Sequence, residues 1–87
     1  MKIKEGFVKR PIMDDMVVVP TGDASKDFEG IIKLNPSASL IWDMIDEGKS
    51  IDDIVEKFTE VYDVSAESAR RDIDAIVNQM IDAGVIE

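Results

Sequence analysis

The sequence predicts an α+β domain of winged helix-turn-helix-like form, with a three-stranded antiparallel sheet followed by three helices. Three observations carry this reading. Up to Leu34 the apolar residues fall in short β-branched runs separated by turn residues, whereas from Asn35 onward they recur at three- and four-residue spacing. The two regimes are segregated along the chain, which favours helices gathered on one face of a small antiparallel sheet. Short Gly- or Ser-bearing connections between the helices suggest a helix-turn-helix core. With 87 residues the chain reads as one domain over 1–87, strands in 1–34 and helices in 35–87. A domain this short buries only about 60 to 65% of the surface its unfolded chain exposes, too little for a core and a deep reaction chamber together.

Val8 to Ile12 and Met16 to Val19 read as a hairpin, with Asp14-Asp15 supplying the turn chemistry. Thr21 to Glu29 is polar, carries Gly22 and reads as a mobile surface loop, being too long for a tight turn. Gly30 to Leu34 is the third apolar run. Asn35-Pro36 pairs an N-cap with proline at the first helical position, and Gly48 marks the stop of that helix. Ser50 with Asp53 has the spacing of a capping box and opens a second helix carrying Ile51, Ile54, Val55, Phe58, Val61 and Tyr62. Asp63 or Ser65 opens a third, which runs to Ala83 with Gly84 as its stop and Val85-Ile86 folding back as a hydrophobic staple.

Composition narrows function by removing tools. The chain has no cysteine and no histidine, which excludes disulfides, thiolate metal sites, a thiol nucleophile and imidazole acid–base chemistry. Cofactors and metals are therefore expected to be none. No apolar run reaches the roughly 20 residues of a membrane span and the N-terminus lacks a signal-like stretch, so the expected compartment is the cytoplasm. The formal charge of −9 should repel phosphate backbones and anionic membranes, which attract clustered Lys and Arg.

The remaining clusters each have a plain structural explanation. Asp14-Asp15, Asp46-Glu47, Asp52-Asp53, Asp72 and Asp74 lack the ligand spacing of a calcium loop and sit where solvation or a helix dipole accounts for them. Ser50 and Ser65 occupy capping positions, and nothing in the spacing supports their activation by Lys26 or Lys49. On the third helix Ala69, Ile73, Ile76 and Met80 form a core face, while Val77 and Ile81 continue a second stripe through Arg70 and Asp74. That stripe is either a broad part of the core face or the wall of a groove. Gly30 to Leu34, last in its sheet, offers an edge that Lys33 protects or that a peptide strand extends.

The motifs Leu34-Asn35-Pro36, Leu40-Ile41-Trp42, Asp46-Glu47-Gly48-Lys49-Ser50-Ile51 with Ile54-Val55, Val61-Tyr62-Asp63-Val64, Asp72-Ile73-Asp74-Ala75 and Ala83-Gly84-Val85-Ile86, with Val17-Val18-Val19-Pro20 ahead of them, resemble the PqqD family. Its members are the peptide-binding proteins of pyrroloquinoline quinone biosynthesis and their relatives, also called RiPP recognition elements. The resemblance spans essentially the whole chain. It implies a winged-helix-like domain that binds the leader of a precursor peptide as a strand added to the third strand, in a groove walled by the third helix. Carried over by position, the peptide site maps to Ile31, Ile32, Lys33 and Leu34 and to Arg70, Asp74, Val77, Asn78 and Ile81. Which of Ile31 and Ile32 faces the groove turns on a one-residue register. The family implies delivery of the peptide to a modifying enzyme, commonly a radical S-adenosylmethionine enzyme that carries its own clusters, so the chain itself is expected to be no enzyme.

Two other functions compete. A winged-helix DNA regulator would use the third helix in the major groove, with Arg70-Arg71 near its start, against the acidic Glu67, Asp72, Asp74 and Asp82 on the same helix. An assembly subunit would dimerise through the sheet edge or swap at the Thr21 to Glu29 loop. Either a monomer or a homodimer is compatible with the sequence.

Overall fold

A computed structural model describes residues 1–27 and 30–87. Strand β1 (Phe7–Ile12) turns at Met13-Asp14 into β2 (Asp15–Pro20), and the two pair antiparallel from Phe7↔Pro20 to Ile12↔Asp15. The expected Asp14-Asp15 turn is thus displaced by one residue, and Asp15 joins the strand. A single helical turn, α1 (Ala24–Asp27), occupies part of the connection read as a loop. Its hydrogen bonds are local, from Ala24, Ser25 and Lys26 N–H to the carbonyls of Thr21, Gly22 and Asp23, so no apolar period announces it. Residues 28 and 29 of that loop, including part of the swap hinge, lie outside the described residues.

Strand β3 (Ile32–Leu34) pairs antiparallel with β2 through Met16↔Leu34 and Val18↔Ile32. It is two residues shorter than the apolar run suggested, because Gly30 takes φ +90 and Ile31 stays outside the pairing. Partnered residues share a face, so Met16, Val18, Ile32 and Leu34 point to the helices and Lys33 to the other side.

Helices α2 (Pro36–Asp46), α3 (Ile51–Tyr62) and α4 (Ala66–Asp82) follow. The first two begin on the side chain that the sequence marks, and of the two candidates for the third, Ser65 is the N-cap while Asp63 closes α3 in the left-handed conformation. Asn35 Oδ1 accepts from Ala38 N–H at 2.8 Å, and Ser65 Oγ accepts from Ser68 N–H at 3.1 Å. Ser50 and Asp53 exchange both bonds of a capping box, each at 3.1 Å. Helices α2 and α4 both end in a Schellman arrangement. Gly48 N–H donates to Ile45 O and Lys49 N–H to Met44 O, and likewise Gly84 to Ile81 and Val85 to Met80.

One core joins sheet and helices: Val18 and Leu34 from the strands, Ile41, Trp42 and Ile45 from α2, Ile54 and Phe58 from α3, Ile73, Val77 and Met80 from α4, and Val85-Ile86 behind it. Each fully buried aliphatic side chain contributes about 1.5 to 3 kcal/mol by leaving water. The C-terminal tail does more than staple the helix. Ile86 bridges Ile3, Lys4 N–H donates to Val85 O at 2.9 Å and Glu87 N–H to Lys2 O at 2.8 Å, so the two chain ends are tied together beneath α4.

Candidate functional site

The sheet order β1-β2-β3 leaves one side of β3 without a strand partner among the described residues. Beside that edge lies a cleft of about 140 Å³. Ile32, Lys33 and Leu34 form one lip, Ile76, Gln79 and Met80 of α4 with its C-cap Ala83 the other, and Val18, Trp42 and Val85 the floor. The residues of that second lip stand at i, i+3, i+4 and i+7, which a rotation of 100° per residue puts on one face. The Schellman turn at Gly84 fixes the end of that wall, holding Ala83 at the lip while Val85 drops into the floor.

Register resolves the question between the two isoleucines. Ile32 lines the cleft and is half-buried, whereas Ile31 is 57% exposed and outside the strand. Lys33 offers its backbone at the edge while its ammonium lies 3.4 Å from the Asp15 carboxylate.

None of Arg70, Asp74, Val77, Asn78 and Ile81 lines the cleft. Val77 is buried in the core, so at this position the broad-stripe explanation holds. Arg70 pairs with Asp52 of α3, and Asp74, Asn78 and Ile81 stand exposed on the side of α4 turned from β3. Conversely Ile76, expected in the core, is only partly buried and faces the cleft. The pattern of apolar residues allowed either facing, because α4 is apolar over an arc wider than one neighbour covers. The signal that separates them is small: Ala83 and Ala38, both lining the cleft, leave room where a core-facing helix would place larger side chains.

The cleft presents aliphatic surface and the Trp42 ring, one amide each from Asn35 and Gln79, and unpaired strand backbone. A cavity of about 150 Å³ with aliphatic walls accommodates a benzene-sized group, and small-molecule sites run from about 300 Å³ upward. One apolar side chain fits this volume better than an organic cofactor. Among the described residues no cluster of three or more acidic or other ligating side chains is placed to hold a metal ion, and no helix is long and apolar enough to cross a membrane. Away from the cleft, the Asp53 carboxyl is held below the usual carboxylate range, first by the Ser50 backbone N–H, then by the Ser50 side chain and more weakly by Lys49. Its role there is capping.

The arrangement is that of a winged-helix-like α+β module with an open strand edge beside an apolar groove. The profile of the family described as Coenzyme PQQ synthesis protein D (PqqD) matches residues 16–86, and the chain belongs to that family. Among solved structures it is similar to TbiB1 in complex with the TbiA(beta) leader peptide, with a TM-score of 0.83 and 24% identity over 100% of this chain and 95% of that one. It is also similar to lasso peptide synthetase B1 complexed with the leader peptide, with a TM-score of 0.82 and 23% identity over 99% of this chain and 95% of that one. No curated protein matches the sequence.

Proposed function

We propose that this chain binds the leader segment of a ribosomally made precursor peptide by strand addition to β3 and presents it to a peptide-modifying enzyme, acting as an adaptor without chemistry of its own. The observation that carries this reading is the unpaired edge of Ile32–Leu34 lying directly beside a cleft sized for one apolar side chain. Main-chain bonds along such an edge supply affinity, and a pocket for alternate side chains supplies selectivity. Family membership supports the reading, as do the two similar structures, both of them complexes with leader peptides. A radical S-adenosylmethionine enzyme, with its own clusters, is the modifying partner we favour. The exchange belongs in the cytoplasm, where a ribosomal product is made.

The charge opposes the DNA alternative. The formal net charge of −9 works against counterion displacement from phosphates, and of the Arg70-Arg71 pair that a DNA reader would use, Arg70 is already paired with Asp52. The test of the peptide reading is optical. Trp42 is the sole tryptophan and lines the cleft floor. Titration with the leader of a precursor encoded beside this gene should change its emission saturably; a leader that binds while leaving that emission unchanged would place the site elsewhere.

A further inference from the structure

Three residues of strand are a short handhold. At about 3.4 Å per residue β3 spans roughly 10 Å, and a specific interface needs on the order of 1,000 Å² of buried surface. A peptide held there must also be gripped beyond the strand.

Past Leu34–Asn35 the surface continues into two further clefts, and in the one that shares Lys33, Leu34 and Asn35 with the first, Asp15 and Asp43 are already paired with Lys33 and Lys9. A second, more open cleft of about 400 Å³ begins where the first ends, and the two share Asn35 and Ile76. Phe58, Tyr62 and Val64 wall it, and Asp72 of α4 stands at its side. Phe58 is buried, and Tyr62, packed edge-to-face on it with ring centroids 5.0 Å apart, is 37% exposed. The phenol ring is therefore braced from behind and accessible. Asp72 makes no ion pair among the described residues, in contrast to Asp15, Asp43 and Asp52, and no Lys or Arg lines this second cleft. An unneutralised carboxylate beside an aromatic ring on an apolar floor matches a side chain with a long aliphatic stem and a cationic head.

We infer, resting on the peptide-adaptor reading, that recognition has a second anchor: an Arg or Lys side chain of the bound peptide lying along Tyr62 with its charge at Asp72. Chain direction locates it in the ligand. A strand that continues the antiparallel order of the sheet runs opposite to β3. Its N-terminal end then leaves at Leu34–Asn35, which is where the second cleft opens. The basic residue stands N-terminal to the residues that pair with β3.

A selection of random dodecapeptides displayed against the purified chain tests this without knowledge of the natural ligand. The expected winners share an apolar strand-forming core with Arg or Lys enriched on its N-terminal side. For a synthetic winner, Asp72→Lys should weaken binding at least about fivefold, the order expected for a partly exposed ion pair combined with a cation–π contact. Tyr62→Leu, which keeps the apolar packing, should weaken it less. Replacing the basic residue of the peptide by alanine should abolish the sensitivity to Asp72→Lys. Ala83→Leu, which fills the first cleft, separates the two levels. Winners blocked by Ala83→Leu yet indifferent to Asp72→Lys overturn the second anchor alone, whereas winners indifferent to Ala83→Leu overturn the cleft reading and the anchor with it.

Discussion

Ala83 keeps the cleft beside β3 open by being small, and the residues next to it hold it there. Gly84 has φ +82 and Gly48 has φ +83, and at neither does an atom from elsewhere in the fold lie within 4 Å of where a Cβ would stand. The two glycines are alike in conformation and differ in location. An alanine at either pays only the left-handed backbone cost of about 1 to 2 kcal/mol, so both Gly84→Ala and Gly48→Ala should lower the thermal midpoint by a similar amount. Only Gly84→Ala should also weaken peptide binding, since it disturbs the turn between Ala83 and Val85; equal binding losses in the two variants would show that the turn does not shape the site. Asp53 gives a second residue-level expectation. Its carboxyl is depressed in the folded chain by the Ser50 hydrogen bonds, so its stabilisation is full above the unfolded value of about 3.9 and is lost as pH falls through the lower folded value. Thermal melts of wild type and Asp53→Ala should differ at neutral pH and converge in strong acid. A gap that persists there would mean that the charge of Asp53 is not what caps α3.

At the scale of elements, much of the architecture is legible in the sequence because caps and stops are local. Asn35, Ser50, Ser65, Gly48 and Gly84 each act within a few residues of themselves, and all five function where the sequence puts them. The facing of α4 is not local. Its apolar residues cover Ile73, Ile76, Val77, Met80 and Ile81, and only the positions of α3 and β3 decide that Val77 is enclosed while Ile76 borders the cleft. A sequence reading that looks for a surplus stripe therefore picks out Arg70, Asp74, Asn78 and Ile81, which do not border the cleft. Arg70 shows the same limit from electrostatics, since its neutralisation by Asp52 of α3 spans two elements. The strand edge is easier to see, because a short last strand in a three-stranded sheet has few ways to be paired; the exclusion of Ile31 depends on Gly30, whose φ of +90 ends the run before it reaches the sheet.

The whole molecule combines an acidic exterior with a small apolar cleft at one strand edge. A net charge of −9 discourages nucleic acid and favours a peptide that brings cations, which is how the second cleft at Tyr62 and Asp72 joins the first in one recognition surface. The tying of Ile3 to Ile86 gives that surface a firm back, because Val85 of the same tail is part of the cleft floor. The most direct test of the central claim is a backbone amide NMR titration of the chain with the leader of a neighbouring precursor. Strand addition in this cleft predicts the largest shifts at Ile32, Lys33 and Leu34 and at Ile76, Gln79, Met80 and Ala83. Shifts concentrated instead at Arg70, Asp74, Asn78 and Ile81, with β3 unmoved, would contradict it.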